Sequence, residues 1–151
     1  MDLSSMTRQT IFQYKSSGGH LADPNKLWPS GVVQYRFYRT FPRCVDLFFF
    51  SYDSNFLPRN LQTLVRQAMD YITSSVPCIT FEHDRKGNSV NFVLISTGQD
   101  TASEIGMRGG KQVLLFNPRS FDNGILRPVH ELLHTLGFIH EQSRTLVLTA
   151  H

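Results

Sequence analysis

The run His130-Glu131-Leu132-Leu133-His134-Thr135-Leu136-Gly137-Phe138-Ile139-His140 restricts the fold of this chain more than any other feature. A helix advances about 100° and 1.5 Å per residue. His130 and His134 therefore stand about 40° apart on one face, one turn apart along the axis. Their imidazoles can converge on a single ion, at about 2.0–2.1 Å if that ion is zinc. Glu131 points to an adjacent face, within reach of a water on the ion without being a ligand itself. On a continuing helix His140 would lie about 9 Å beyond His134. The chain must therefore turn back, and Gly137 permits the turn because glycine ends helices in the left-handed conformation at little steric cost. Leu132, Leu133 and Leu136 anchor the helix in a core behind the ion.

Three neutral imidazoles leave the full charge of the zinc and at least one coordination position free. Such an ion lowers the pKa of a bound water from about 15.7 toward 7. Glu131 is then the expected general base, and it can pass the proton on to a leaving amine. The chemistry these residues point to is metal-assisted hydrolysis of a peptide bond. The competing reading, a buried helix with stray histidines, gives packing no reason to set three histidines at these intervals.

The rest of the composition narrows the class. At 151 residues, with 40% hydrophobic and 18% charged residues, the chain suits one globular domain. The formal charge is +3 and the basic residues are scattered, so no basic stripe suggests nucleic acid. Met1 to Ser17 is polar and lacks the apolar core of a signal peptide. The longest apolar run, Leu47 to Phe50, is too short to span a membrane. Cys44 and Cys78 do not form a C-x-x-C clamp, and are compatible with one disulfide or two thiols. His20 and His83 are expected to face solvent.

Pro58 to Val76 reads as the clearest helix. Leu61, Leu64, Val65, Ala68, Ile72 and Val76 form one apolar face, and Pro77 marks its stop. Ile125 to Leu136 is a second helix, with Pro128 tolerated in its first turn. Strands are expected at Gly31–Tyr38, Val45–Tyr52, Ile79–Phe81, Val90–Ile95 and Val113–Phe116. Ser96 to Gly110 is polar and Gly-rich and reads mostly as loop, and Met1 to Asn25 as a flexible leader.

The run HELLHTLGFIHEQSR, from His130 to Arg144, resembles the signature of the astacin family of metzincin zinc endopeptidases. Asp23 to Val33 (DPNKLWPSGVV) resembles the start of a mature domain of that family. The helix Leu61–Ile72 followed by Cys78-Ile79-Thr80-Phe81 matches its order. The resemblance divides the chain into a leader or propeptide remnant (1–22), the N-terminal part of a catalytic domain (23–144) and a divergent tail (145–151). It implies an α+β fold: a twisted, mostly mixed sheet with two long helices, as in the N-terminal subdomain of metzincins. The implied ligands of one zinc per chain are His130, His134 and His140, with Glu131 catalytic. A peptide or protein substrate would lie extended along an edge strand near Ala102 to Met107. The resemblance also implies secretion, and gives Glu141 the role of meeting a new N-terminus after propeptide removal. A solvated charge is the alternative for Glu141.

Several features depart from the family. After Arg144 the chain ends in Thr145 to His151, without the methionine turn and tyrosine that the family places in a second subdomain. The family partner of Cys78 lies in that half. Unpaired thiols are therefore expected, with a Cys44–Cys78 bridge as the alternative. Arg39 to Asn55 looks like an insertion. Asp23 either caps a turn or, less in keeping with its loop setting, covers the zinc. Two functional expectations follow: a zinc metalloendopeptidase, or a truncated zinc-binding fragment with little or no protease activity. A third, a partner-binding domain that merely keeps the helix, leaves Glu131 without a use.

Overall fold

In the computed structural model, residues 23–38, 56–121 and 124–140 are described. The leader, the Arg39–Asn55 stretch with its expected strand and Cys44, His20, Glu141 and the tail all lie outside them. Five strands and two α-helices occur among the described residues: β1 (Val32–Phe37), α1 (Arg59–Ser75), β2 (Thr80–His83), β3 (Phe92–Thr97), β4 (Ala102–Ser103), β5 (Lys111–Phe116) and α2 (Leu126–Thr135). No helix among them is long and apolar enough to cross a membrane.

The strands form one sheet in the order β2-β1-β3-β5-β4. The first three neighbouring pairs are parallel, and β4 runs antiparallel to β5 at the edge. The fold is thus α+β with a mixed sheet, as expected. Alternation in the sequence becomes burial in the sheet. Val33, Tyr35 and Phe37 of β1, Val93 and Ile95 of β3, and Leu114 and Phe116 of β5 share one core with Leu61, Val65, Ala68, Met69 and Ile72 of α1. Leu132 and Leu136 bring α2 into the same core. Each Val, Leu, Ile, Phe or Met side chain among them, once fully buried, contributes about 1.5–3 kcal/mol. The long helix is therefore held by its apolar stripe, and Pro58 takes the position just before its first turn.

The strand ends differ from the sequence expectations for one reason. Hydrophobicity stops at Ile95, but the backbone ladder with β5 continues through Ser96↔Leu115 and Thr97↔Phe116. At the other end, exposed Lys111 is drawn into β5 by its pairing with Phe92. β2 likewise runs on to His83 because it pairs with β1 as far as Tyr35. That register also corrects the expectation for His83. Its ring does not simply face solvent but stacks on Tyr35, with centroids 5.1 Å apart and planes 11° from parallel.

The start of β1 depends on a close approach. Gly31 has φ +73°, and a Cβ there would sit 2.0 Å from the Cys78 carbonyl oxygen. Only glycine fits that backbone and that space. Just upstream, Asp23 caps a short 3₁₀ turn (Pro24–Lys26), accepting from the Asn25 amide at 2.8 Å. This is the turn-capping role rather than the zinc-covering one.

Candidate metal centre

α2 carries the first two histidines, and the turn that ends it supplies the third. The turn is a Schellman motif. The Phe138 amide donates to the Leu133 carbonyl at 3.0 Å and the Gly137 amide to the His134 carbonyl at 2.8 Å. Gly137 sits at φ 106°, in the region only glycine enters freely. Phe138 and Leu133 both pack against the core, giving the apolar contact that accompanies such a turn. The chain thereby reverses, and His140 comes back beside His130 and His134.

The three Nε2 atoms form a nearly equilateral triangle. His134 lies 3.1 Å from His130 and 3.1 Å from His140, and His140 lies 3.0 Å from His130. Ligand atoms about 2.0–2.1 Å from one ion cannot be more than about 4.2 Å apart, so the triangle fits a shared cation. The donor set fits too, because neutral imidazole nitrogens facing one another carry lone pairs that a cation satisfies together. Of the three rings, His134 is buried, His130 half-buried and His140 exposed.

A hydrogen bond orients one of the rings, and burial acts on another. His134 Nδ1 lies 2.7 Å from the Phe138 carbonyl, to which it donates when Nε2 is left free for a metal. The turn thus both returns His140 and orients His134. Burial holds the pKa of His130 below the usual imidazole value, and the neighbouring His134 ring adds to the shift.

Segments distant in sequence clamp this helix end. The Trp28 indole donates to the Thr135 carbonyl at 2.9 Å, across 107 residues of chain. The Gly106 amide donates to the His134 carbonyl at 2.9 Å, and the Met107 amide to the Lys26 carbonyl at 2.6 Å. Thr135 Oγ1 and Ser103 Oγ of β4 are hydrogen-bonded at 2.8 Å. Trp28 and Thr135 were not singled out from the sequence as parts of the site, and Ser103 and Gly106 were covered only by the expected edge near Ala102 to Met107. Of the first two, only Thr135, four residues after Glu131, carried a signal, since that spacing puts both on one helix face.

A cavity of about 360 Å³ opens over the triangle. One wall is the segment around β4, with Thr101, Ala102, Ser103 and Ile105. The other is α2 and its turn, with Arg127, His130, Glu131, His134 and His140. Glu131, 4% exposed, is among the buried charged residues. Of the edge expected near Ala102 to Met107, Ala102 and Ser103 form β4, and His130, Glu131, His134 and His140 line the same cavity.

The family model for Astacin, a peptidase family, matches residues 20–146. The chain belongs to the astacin family. Among curated astacin relatives, zinc metalloproteinase nas-15 of Caenorhabditis elegans is 31% identical over 120 residues, covering 80% of this chain and 18% of that protein. Zinc metalloproteinase nas-6 of the same organism is 29% identical over 117 residues, covering 78% of this chain and 28% of that protein. The chain therefore spans less than a third of the length of either relative. The fold is similar to that of high choriolytic enzyme 1, a hatching-enzyme zinc protease from Oryzias latipes. The TM-score is 0.55 at 24% identity, over 81% of this chain and 50% of that one. Zinc is the metal of these astacin relatives by name, and the three histidines here are positioned to bind it.

Proposed function

We propose that this astacin-family chain is a zinc-dependent endopeptidase, with His130, His134 and His140 as the metal ligands and Glu131 as the general base. The observation that carries the reading is the Nε2 triangle with a buried glutamate on the same cavity wall. Bound zinc supplies Lewis acidity, polarising a carbonyl and making a water acidic near neutral pH. Glu131 takes the proton from the attacking water and delivers it to the departing amine. Its burial supports this role, because a carboxylate shielded from bulk solvent exchanges its proton with the reactants in the cavity. β4 offers an extended peptide the outer edge of the sheet, so that main-chain hydrogen bonds hold the substrate while the cavity takes its side chains. Peptides or proteins are the substrates on this reading, and family membership supports action outside the cell.

Two measurements test the proposal. Metal analysis of the purified protein finds about one zinc per chain, lost in His134→Ala. Digestion of an unstructured protein substrate proceeds in the wild type and drops by at least about 100-fold in Glu131→Ala, the scale expected of a general base. Equal rates in the two proteins would remove Glu131 from the mechanism.

A further inference from the structure

The strand that borders the cavity is held by little of its own. β4 has two residues, against about five or six in a usual strand. Two register pairs, Ala102↔Leu115 and Ser103↔Leu114, join it to β5. A ladder that short sets the position of the edge relative to α2 only loosely. The side chain of Ser103 supplies what the ladder lacks. Its Oγ lies 2.8 Å from Thr135 Oγ1 of α2. Thr135 is fully buried and sits one turn after Glu131, with Oγ1 3.2 Å from the Glu131 carbonyl. Ser103 Oγ is in turn 3.1 Å from the Glu104 carbonyl. The two hydroxyls therefore have two complete arrangements. Ser103 donates to Thr135, which donates to Glu131, or Thr135 donates to Ser103, which donates to Glu104. The bond between strand and helix is present in both.

A hydroxyl pair is an expensive way to fill this space. Threonine is a poorer helix former than alanine or leucine, and a buried hydroxyl is unfavourable unless it is bonded. An apolar pair would close the same gap, but without direction. What the hydroxyls add is a fixed separation between two elements with different tasks. One is β4, whose outer edge an extended peptide would join. The other is the stretch of α2 that carries Glu131 and His134. We infer that Ser103 and Thr135 are positioning residues, which lock the peptide-holding edge to the metal helix so that a bound peptide meets the ion in register.

In this role both act through the backbone they hold, not by touching the reacting atoms. Register matters because a misplacement of about 1 Å at a reacting centre can lower a rate by about 100-fold. The inference deepens the peptidase reading and rests on it for the identification of the ligand as a peptide.

The test measures how well the edge and the metal act together, and needs no catalysis. The full chain, loaded with zinc and with its zinc content confirmed in each variant, is titrated with three ligands. Acetohydroxamate takes the metal alone, a blocked neutral peptide takes the edge alone, and the same peptide ending in a hydroxamate must take both at once. The two peptides carry fluorescein and are read by anisotropy, and acetohydroxamate is read by displacement of the peptide hydroxamate. In Ser103→Ala and in Thr135→Val the peptide hydroxamate binds about three- to tenfold more weakly, the scale of one hydrogen bond. The two separate ligands stay within about twofold of the wild type. The loss is graded rather than complete, because the Gly106 amide still holds the His134 carbonyl. Combining the two substitutions adds no further loss, since each removes the same bond. Thr135→Ser, which keeps the hydroxyl, restores wild-type binding. Unchanged affinity for the peptide hydroxamate in both single variants overturns the inference, as do additive losses in the double variant. Losses of the same size for all three ligands, or for the plain peptide, also overturn it, because the pair then merely keeps the site folded. A peptide hydroxamate that binds the wild type no better than acetohydroxamate does so too, because an edge that holds no peptide positions none. Cleavage of the unmodified peptide by the wild type reports separately on the peptidase reading. A loss confined to the linked ligand, in a protein that cuts nothing, would sink that reading and leave this one standing.

Discussion

Replacing Gly137 by alanine tests whether the turn, and not the helix alone, builds the metal centre. At φ 106° a Cβ strains the backbone by about 1–3 kcal/mol. The strain has two outlets. If the turn holds, the whole cost falls on folding, and melting drops by roughly 3–10 °C for a chain of this size. If the turn opens instead, the Phe138 carbonyl leaves His134 Nδ1 and His140 leaves the triangle. The same 1–3 kcal/mol then appears as a loss of zinc affinity of roughly 5- to 150-fold. Melting of the metal-free protein, with zinc affinity measured by competition against a chromophoric chelator, separates the outlets. Their sum should stay within the strain energy. Asparagine, which tolerates the left-handed region better than alanine, should show a smaller effect on both measurements. The reasoning is refuted if Gly137→Ala melts with the wild type and binds zinc within about twofold of it.

Other expectations concern the clamp, the core and pH. Thr135→Val keeps the shape but removes the hydroxyl bonded to Ser103. It should cost about 1 kcal/mol, read as a melting shift of roughly 2–4 °C, and leave the zinc stoichiometry unchanged. Gly31→Ala drives a Cβ into the Cys78 carbonyl and should cost more than about 2 kcal/mol by denaturant titration, because backbone rather than a flexible side chain must move. Acid should destabilise the metal-free protein through His130. Its folded pKa is lowered, by burial first and His134 second. Below about pH 6.5 the unfolded chain therefore takes up a proton that the folded ring refuses, and stability falls with pH until the folded value is passed. Melting temperatures measured across that window should fall more steeply in the wild type than in His130→Gln.

How much of this could be read in the sequence depended on how local the cause was. The two helices were legible to within a residue or two. The Leu61–Val76 stripe has helical spacing, and proline and glycine punctuate both ends. The reversal at Gly137 was legible because His140 can rejoin the other two only if the chain turns back, and glycine takes the left-handed turn at little cost. Strand ends were not, because the Ser96 and Thr97 pairings are set by the facing strand and not by their own polarity. β4 has two residues inside a polar, Gly-rich loop, too few to show alternation. Only the family resemblance pointed to an edge there. His83 was misjudged because average burial by residue type carries nothing about a neighbour such as Tyr35, which comes from a strand nearly fifty positions away.

The same distinction explains why the metal centre needs the sheet. Ordering Phe138, Ile139 and His140 costs roughly 3–6 kcal/mol of backbone entropy. The turn's local bonds are the two Schellman amides and the His134 Nδ1 contact, each contributing about 0.5–1.5 kcal/mol net. Together they contribute about 1.5–4.5 kcal/mol, which is comparable to that cost and leaves little or no surplus. With so small a margin, bonds from outside the helix matter to whether the third histidine is held in place. Trp28 on the Thr135 carbonyl, Gly106 on the His134 carbonyl and Ser103 on the Thr135 hydroxyl supply three further bonds to this helix end. All three come from segments placed by the sheet. The motif names the three histidines, but the fold holds the last turn of α2 in the arrangement that lets them meet.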